Sequence, residues 1–186
     1  MIGQDEWVNA AAAALEAGGV EAVRVEALAR ELGVTKGSFY WHFADRGALM
    51  EALLTRWTAS ADAALTAAAT AATPAQRVTT LLRSMTRAKE GMTDLEVFAW
   101  ARRDRTVAER VSVIERARVV FLKEQLAALG VPLMEAHRRA EAAYLASHGW
   151  IERAARTPWM KSDYTAFMDD VLRLLLRVPA TQSSAS

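Results

Sequence analysis

Between Gly33 and Phe43 the chain reads Gly-Val-Thr-Lys-Gly-Ser-Phe-Tyr-Trp-His-Phe, and these residue types suit contact with a nucleic acid. Lys36 can address guanine acceptors, Gly37 allows close approach, and Ser38 or Trp41 can meet a thymine methyl group. Phe39 and Phe43, four residues apart, supply a buried stripe that leaves Lys36, Gly37, Tyr40 and Trp41 on another face. The elements that must position them are two short helices. Leu28, Ala29 and Leu32 share one face of the first, and Gly33 can take the left-handed conformation that stops it. Thr35 is expected to cap the second through its side-chain oxygen. A helix-turn-helix of this kind places the first turn of its second helix against base edges in the major groove.

Other chemistry is thinly supplied. The three histidines are His42, His137 and His148. His137 with Glu141, and His148 with Glu152, are spaced for one helix face, but two ligands make an incomplete metal site. Surface ion pairs or a pocket hydrogen bond are the simpler readings of both. No glycine-rich phosphate loop, nucleophile elbow or zinc-deaminase signature is present, so the chain reads as no enzyme, with no catalytic residues, cofactor or metal.

At 186 residues and 52% hydrophobic content the chain can bury a substantial core. Cysteine is absent, which excludes disulfides and thiolate sites and suits a reducing cytoplasm. Asp5 and Glu6 spoil a basic signal-peptide start, and no apolar run reaches membrane-spanning length, so a soluble cytoplasmic protein is expected. A net charge of +1 gives no global signal for nucleic acid. Asp5, Glu6, Glu16, Glu21, Glu26 and Glu31 outnumber Arg24 and Arg30 ahead of the second helix, so the acids must point away from the duplex while Lys36, His42 and Arg46 face it.

Every boundary reads as a helix boundary, giving an all-α chain of about nine helices. A head over residues 1–47 precedes a helical-bundle body over 48–179 and a frayed tail over 180–186. Helix one spans about Gln4 to Ala17. Asp45 caps helix four, which carries Leu49, Leu53 and Trp57 and extends toward Ala72. Thr73-Pro74 starts helix five, running to Glu90 and stopping at Gly91. Capping boxes at Thr93-x-x-Glu96 and Thr106-x-x-Glu109 are expected to start helices six and seven. Helix eight runs to about Ala155, and helix nine spans about Ser162 to Val178. The apolar arc of helix nine, Phe167, Val171, Leu174, Leu175 and Val178 with Met168 and Leu172, is wide enough that a subunit interface is the economical reading; an internal bundle helix is the alternative. The body is also rich in Trp57, Met85, Met92, Phe98, Trp100, Phe121, Tyr144, His148, Trp150 and Trp159. Most of these belong in a core, yet such a lining also suits a flat or hydrophobic small molecule.

Leu28-Ala29, Gly33-Val34-Thr35 and Phe39-Tyr40-Trp41-His42-Phe43 resemble, in order and spacing, the head of the tetracycline-repressor-like (TetR) family of bacterial transcription regulators. Arg46 sits where that family usually has a phosphate-binding lysine, and Leu49 matches an anchoring leucine. The resemblance covers about the first quarter of the chain. It implies that Thr35, Tyr40, His42 and Arg46 hold phosphates while Lys36, Gly37, Ser38 and Trp41 approach bases. It also implies a ligand pocket between helices four and eight, with Trp57, Met85, Phe98, Phe121, Tyr144 and His148 as candidates. A twofold dimer through the last two helices is implied as well, with Trp150, Phe167, Val171, Leu174 and Leu175 at the interface. The expected function is a homodimeric repressor released from a palindromic DNA operator by a hydrophobic or aromatic effector; the alternatives are a dimeric DNA-binding regulator without a ligand and, third, a helical enzyme. Two departures stand out. Arg24 replaces a capping threonine found in many members, although it could still reach a phosphate. Glu26 occupies a position where some members carry a basic base-reading residue. With helix one starting almost at Met1, no basic arm is expected to reach the minor groove, and base reading rests on the second helix of the motif.

Overall fold

The computed structural model describes residues 2–85, 94–157 and 164–177, and among them the chain is all-α. The helices are α1 (Gln4–Gly18), α2 (Val25–Glu31), α3 (Lys36–Phe39), α4 (Arg46–Ala69), α5 (Pro74–Ser84), α6 (Asp94–Ala101), α7 (Arg105–Ala128), α8 (Leu133–Arg156) and α9 (Tyr164–Leu175), with a 3-10 turn at Val20–Ala22. The expected Glu90, Gly91 and Thr93 boundaries, Ser162, Val178 and the tail lie outside the described residues. So do Met92 and Trp159.

These helices pack as two units. The first contains α1 to α3, α4 as far as Ala63, α6, and α7 as far as Ile114. Its core gathers Trp7, Leu15, Leu28, Phe39, Leu49 and Leu53, all essentially excluded from solvent. Asp45 caps α4 as expected, its Oδ1 accepting from the amide of Ala48 at 2.8 Å. Arg56 on α4 donates to the Asn9 side chain on α1 at 2.6 Å.

The second unit contains α4 from Ala64, α5, α7 from Glu115, α8 and α9. Leu81, Leu82, Leu122, Leu126 and Met168 form its centre. Thr73 and Gln76 start α5 with a reciprocal capping box, 3.2 Å from the Gln76 amide to Thr73 Oγ1 and 3.1 Å from the Thr73 amide to Gln76 Oε1. Proline at the next position forgoes an amide that the first turn leaves unpaired anyway. Helix α9 is fixed by polar contacts at both ends. Tyr164 donates its hydroxyl to the Leu82 carbonyl at 3.1 Å, and Arg139 on α8 donates to the Leu175 carbonyl at 2.7 Å, satisfying an acceptor that the helix end leaves open.

Three local expectations are corrected. Helix α7 starts two residues early, and Asp104 caps it rather than Thr106: Asp104 Oδ1 accepts from the amides of Thr106 and Val107 at 2.9 and 3.2 Å. Glu109, the expected box partner, instead accepts from Arg105 at 2.9 Å. Thr35 has the extended backbone of a cap residue, but its hydroxyl makes no cap hydrogen bond; its carbonyl accepts from the Ser38 amide at 3.0 Å. Finally, α3 is one turn long, because beyond Phe39 the amides of Trp41 and His42 bond three residues back, tightening the chain into a turn.

Gly33 behaves as expected. Its φ is +67°, and the Val34 amide reaches the Ala29 carbonyl at 2.9 Å while the Gly33 amide reaches Arg30 at 3.2 Å, the paired bonds of a Schellman stop. A Cβ added there would meet nothing within 4 Å, so the whole penalty of a side chain lies in the backbone. Gly33→Ala is therefore expected to cost about 1–2 kcal/mol of stability. Equal midpoints for the two proteins in urea would refute this account of the turn.

Candidate nucleic-acid interface

The site is built on the first unit by the division of one turn into two faces. Phe39 is fully buried, and its ring lies 5.2 Å from Trp7 edge-on and 5.5 Å from Phe43 in a stacked arrangement. Burying Phe39 toward α1 forces its neighbours outward. Tyr40 is 54% exposed and Trp41 88% exposed, the largest fraction among the exposed apolar side chains of the described residues. Tyr40 leans edge-on against the Phe39 ring at 5.3 Å, so its hydroxyl end is carried on a fixed base. Lys36 and Gly37 share the exposed surface of this turn, while Ser38 and His42 are half-buried.

Nothing inside the protein requires glycine at position 37. Its backbone is ordinary helix, and an added Cβ would meet only Thr35 Oγ1 at an unstrained 3.6 Å. Space for a partner outside the chain remains as the reason for a residue that weakens a helix. Gly37→Ala is accordingly expected to leave Tm unchanged or slightly raised while lowering DNA affinity severalfold; an unaltered affinity in a titration at fixed salt would remove Gly37 from the contact surface.

The charged residues are arranged less simply than their order along the chain suggests. Lys36 Nζ lies 2.5 Å from Glu26 Oε1, joining α3 to α2. The hydrogen bond to Glu26 raises the Lys36 pKa above its ordinary value, and the same bond, with a backbone amide, lowers that of Glu26. Both groups stay ionised through the neutral range. The requirement that the acids of α1 and α2 point away from the reading turn thus fails at Glu26. Glu6, by contrast, is turned to its own helix end, where backbone amides, including that of Gly3 at 2.9 Å, hold its carboxyl below the usual carboxylate range.

Arg46 is exposed, and its guanidinium is engaged from inside the chain. Nε donates to the Val23 carbonyl at 2.6 Å and Nη2 to the Val20 carbonyl at 2.7 Å. This side chain ties the first turn of α4 to the strap leading into α2. Arg24 starts α2 with an extended backbone and, as its type requires, offers no side-chain cap.

The residues expected to line a pocket fall in both units. In the first, Trp57 and Phe98 are buried with ring centres 6.4 Å apart, and Trp57 Nε1 donates to the buried Asp94 carboxylate at 2.9 Å. In the second, Met85 and Tyr144 are buried and Phe121 packs against the core. Tyr144 stacks parallel to His148 at 6.4 Å and donates its hydroxyl to Glu115 at 3.0 Å. The first unit also has two open clefts. One, of 350 Å³, is bordered by Val20, Arg46, Met50, Glu51, Trp100 and Asp104, and the other, of 340 Å³, by Leu15, Glu16, Val20, Trp100, Arg102 and Arg103. Neither reasoning from spacing nor from composition pointed to these clefts, nor to Asp94, Glu115 and the Glu26–Lys36 pair. Each joins residues on different helices, so no helical periodicity marks it.

Among the residues expected at a subunit interface, Trp150 stacks on Phe167 at 4.4 Å, Val171 is half-buried, Leu175 is buried within the second unit and Leu174 is 66% exposed. Among the described residues no three histidine or carboxylate side chains gather in a way that could hold a metal ion, and no helix is long and apolar enough to cross a membrane.

A helical head that buries Phe39 and Phe43 and presents Lys36, Tyr40 and Trp41 after a glycine stop has the form of a DNA-binding helix-turn-helix. Residues 8–53 match the family model of bacterial regulatory proteins, tetR family. The match covers the helix-turn-helix segment, and over that segment the chain is similar to the DNA-binding head of TetR-family regulators. Its fold is similar to that of a transcriptional regulator from Rhodococcus sp. Rha1, at 17% identity and a TM-score of 0.76, over 94% of each chain. It is similar also to a TetR-family transcriptional regulator from Streptomyces coelicolor, at 19% identity and a TM-score of 0.73, over 93% of this chain and 95% of that one. No curated protein matches the sequence.

Proposed function

We propose that this protein is a homodimeric, ligand-responsive repressor of the cytoplasm that leaves its operator when a hydrophobic or aromatic effector binds. The observation that carries the DNA half of this reading is the exposure of Tyr40 and Trp41 directly above the buried Phe39. Thr35, Tyr40, His42 and Arg24 hold phosphates and set register, while Lys36, Gly37, Ser38 and Trp41 meet bases and set sequence. Arg46 acts on the duplex by bracing the strap into α2, and can add a phosphate contact from its exposed position. In a twofold dimer, two heads call for half-sites roughly 34 Å apart on a near-palindromic operator. The exposed Leu174, on the same helix as the Phe167 that stacks on Trp150, supports pairing through α8 and α9.

The effector half rests on α4. This helix carries Arg46, tied to the Val20 and Val23 carbonyls, and Trp57, bonded to Asp94. A ligand that displaces Trp57 from Asp94 would shift α4 and with it the strap that leads into the reading motif. Tenfold weaker DNA binding needs only about 1.4 kcal/mol of preference for the shifted state. One observation favours the second reading, a regulator without a ligand: the Tyr144 hydroxyl and the Trp57 indole already have partners within the protein, as in a filled core.

Selection of bound fragments from the source genome by the purified protein tests the DNA half, and enrichment of a palindromic site is expected. A melting-temperature screen across hydrophobic metabolites and drugs separates the two readings of the body. An effector whose affinity is unchanged by Trp57→Ala and by Tyr144→Phe would displace the proposed pocket.

A further inference from the structure

We propose that Glu26 and Lys36 act as one joint reader of a single base pair, one with a keto base on the lysine side and an amino base on the glutamate side, guanine·cytosine ahead of thymine·adenine. This inference rests on the DNA reading of the head.

The pair contributes little to folding. Its side chains are 61% and 50% exposed, and exposed ion pairs contribute little to stability. It also has a cost in function, because Glu26 removes a positive charge from the face that must meet phosphates. A carboxylate can only accept hydrogen bonds. The donors on the floor of the major groove are the amino groups of cytosine and adenine, and the acceptors suited to an ammonium group are guanine O6 and N7.

The spacing fits both at once. In a guanine·cytosine pair, O6 and the cytosine amino nitrogen are held about 2.9 Å apart by their own hydrogen bond. Lys36 Nζ and Glu26 Oε1 are 2.5 Å apart. The ammonium can therefore face O6 while the carboxylate faces the amino group, and the two side chains keep their mutual contact. Guanine N7, next to O6, gives the lysine a second acceptor. Thymine offers only O4 and a methyl group on that edge, which places thymine·adenine second. In either reversed pair the ammonium would meet an amino group and the carboxylate a keto oxygen, two repulsive contacts. The ion pair also holds the long lysine side chain in place before DNA arrives, reducing the entropy lost on binding. Both groups remain charged, since each shifts the other's titration away from neutrality.

The test uses the full chain and duplexes built on the site enriched from genomic fragments, with all four base pairs placed in turn at each half-site position, at one salt concentration. The wild type is expected to show one position with about tenfold preference for guanine·cytosine over its reverse. Glu26→Gln is expected to bind unrelated DNA severalfold more tightly and to flatten that preference to about twofold or less. The double exchange Glu26→Lys with Lys36→Glu keeps the ion pair and the net charge; it should keep the wild-type Tm and reverse the preference. Retention of the wild-type preference in Glu26→Gln, or in a folded double exchange, overturns the proposal and leaves the pair as a brace between α2 and α3. Failure of the wild type to enrich any site overturns the DNA reading and this inference together, so the two failures are told apart.

Discussion

Phe39→Ala is expected to destabilise the first unit by about 3–5 kcal/mol, because it empties the point on which the head converges. The ring is fully buried and touches Trp7 from α1, Phe43 beyond the turn and the base of Tyr40. Phe39→Leu keeps most of the volume and should cost under about 1.5 kcal/mol if the neighbours repack. In thermal unfolding the alanine variant should fall on the order of 10 °C, with DNA binding lost as the head loosens. A loss below about 1 kcal/mol would mean that the head is not organised around this ring.

Two residues along the chain, the expected result inverts. Trp41→Ala should leave stability within about 0.5 kcal/mol of the parent, because an 88% exposed side chain gives up little on removal. DNA affinity should fall about tenfold or more, the loss of an apolar contact to base edges. Since the indole carries no charge, the dependence of binding on salt should keep its slope. An unchanged affinity would take Trp41 out of the interface; a changed slope would show that its removal disturbs the neighbouring phosphate contacts. Measured side by side, the two variants separate a residue that builds the head from one proposed to touch DNA.

The contrast between Phe39 and Trp41 was legible in the sequence because it is local. Phe39 and Phe43 recur at the period of a helix, Gly33 marks a left-handed stop, and one buried stripe leaves the intervening residues outside. The same local logic placed Asp45 and Thr73 at helix starts. It failed at Thr106, where a competing acid two residues earlier captured the first-turn amides, and at Thr35, where the backbone closed the turn without the hydroxyl.

What the sequence by itself determined is the class of fold, the position of the reading turn and which of its residues face inward, since each follows from contacts within three or four residues. Tertiary structure alone decided the partners of the charged and polar groups. Lys36 meets Glu26 ten residues away, Arg46 reaches carbonyls over twenty residues back, Trp57 finds Asp94, and Tyr144 finds Glu115. These pairings depend on how helices are set against each other, a matter of packing between apolar faces that carries no fixed spacing along the chain. Composition supplied a nearly neutral molecule; the fold decided that one acid, Glu26, stands beside Lys36, the lysine proposed to meet bases.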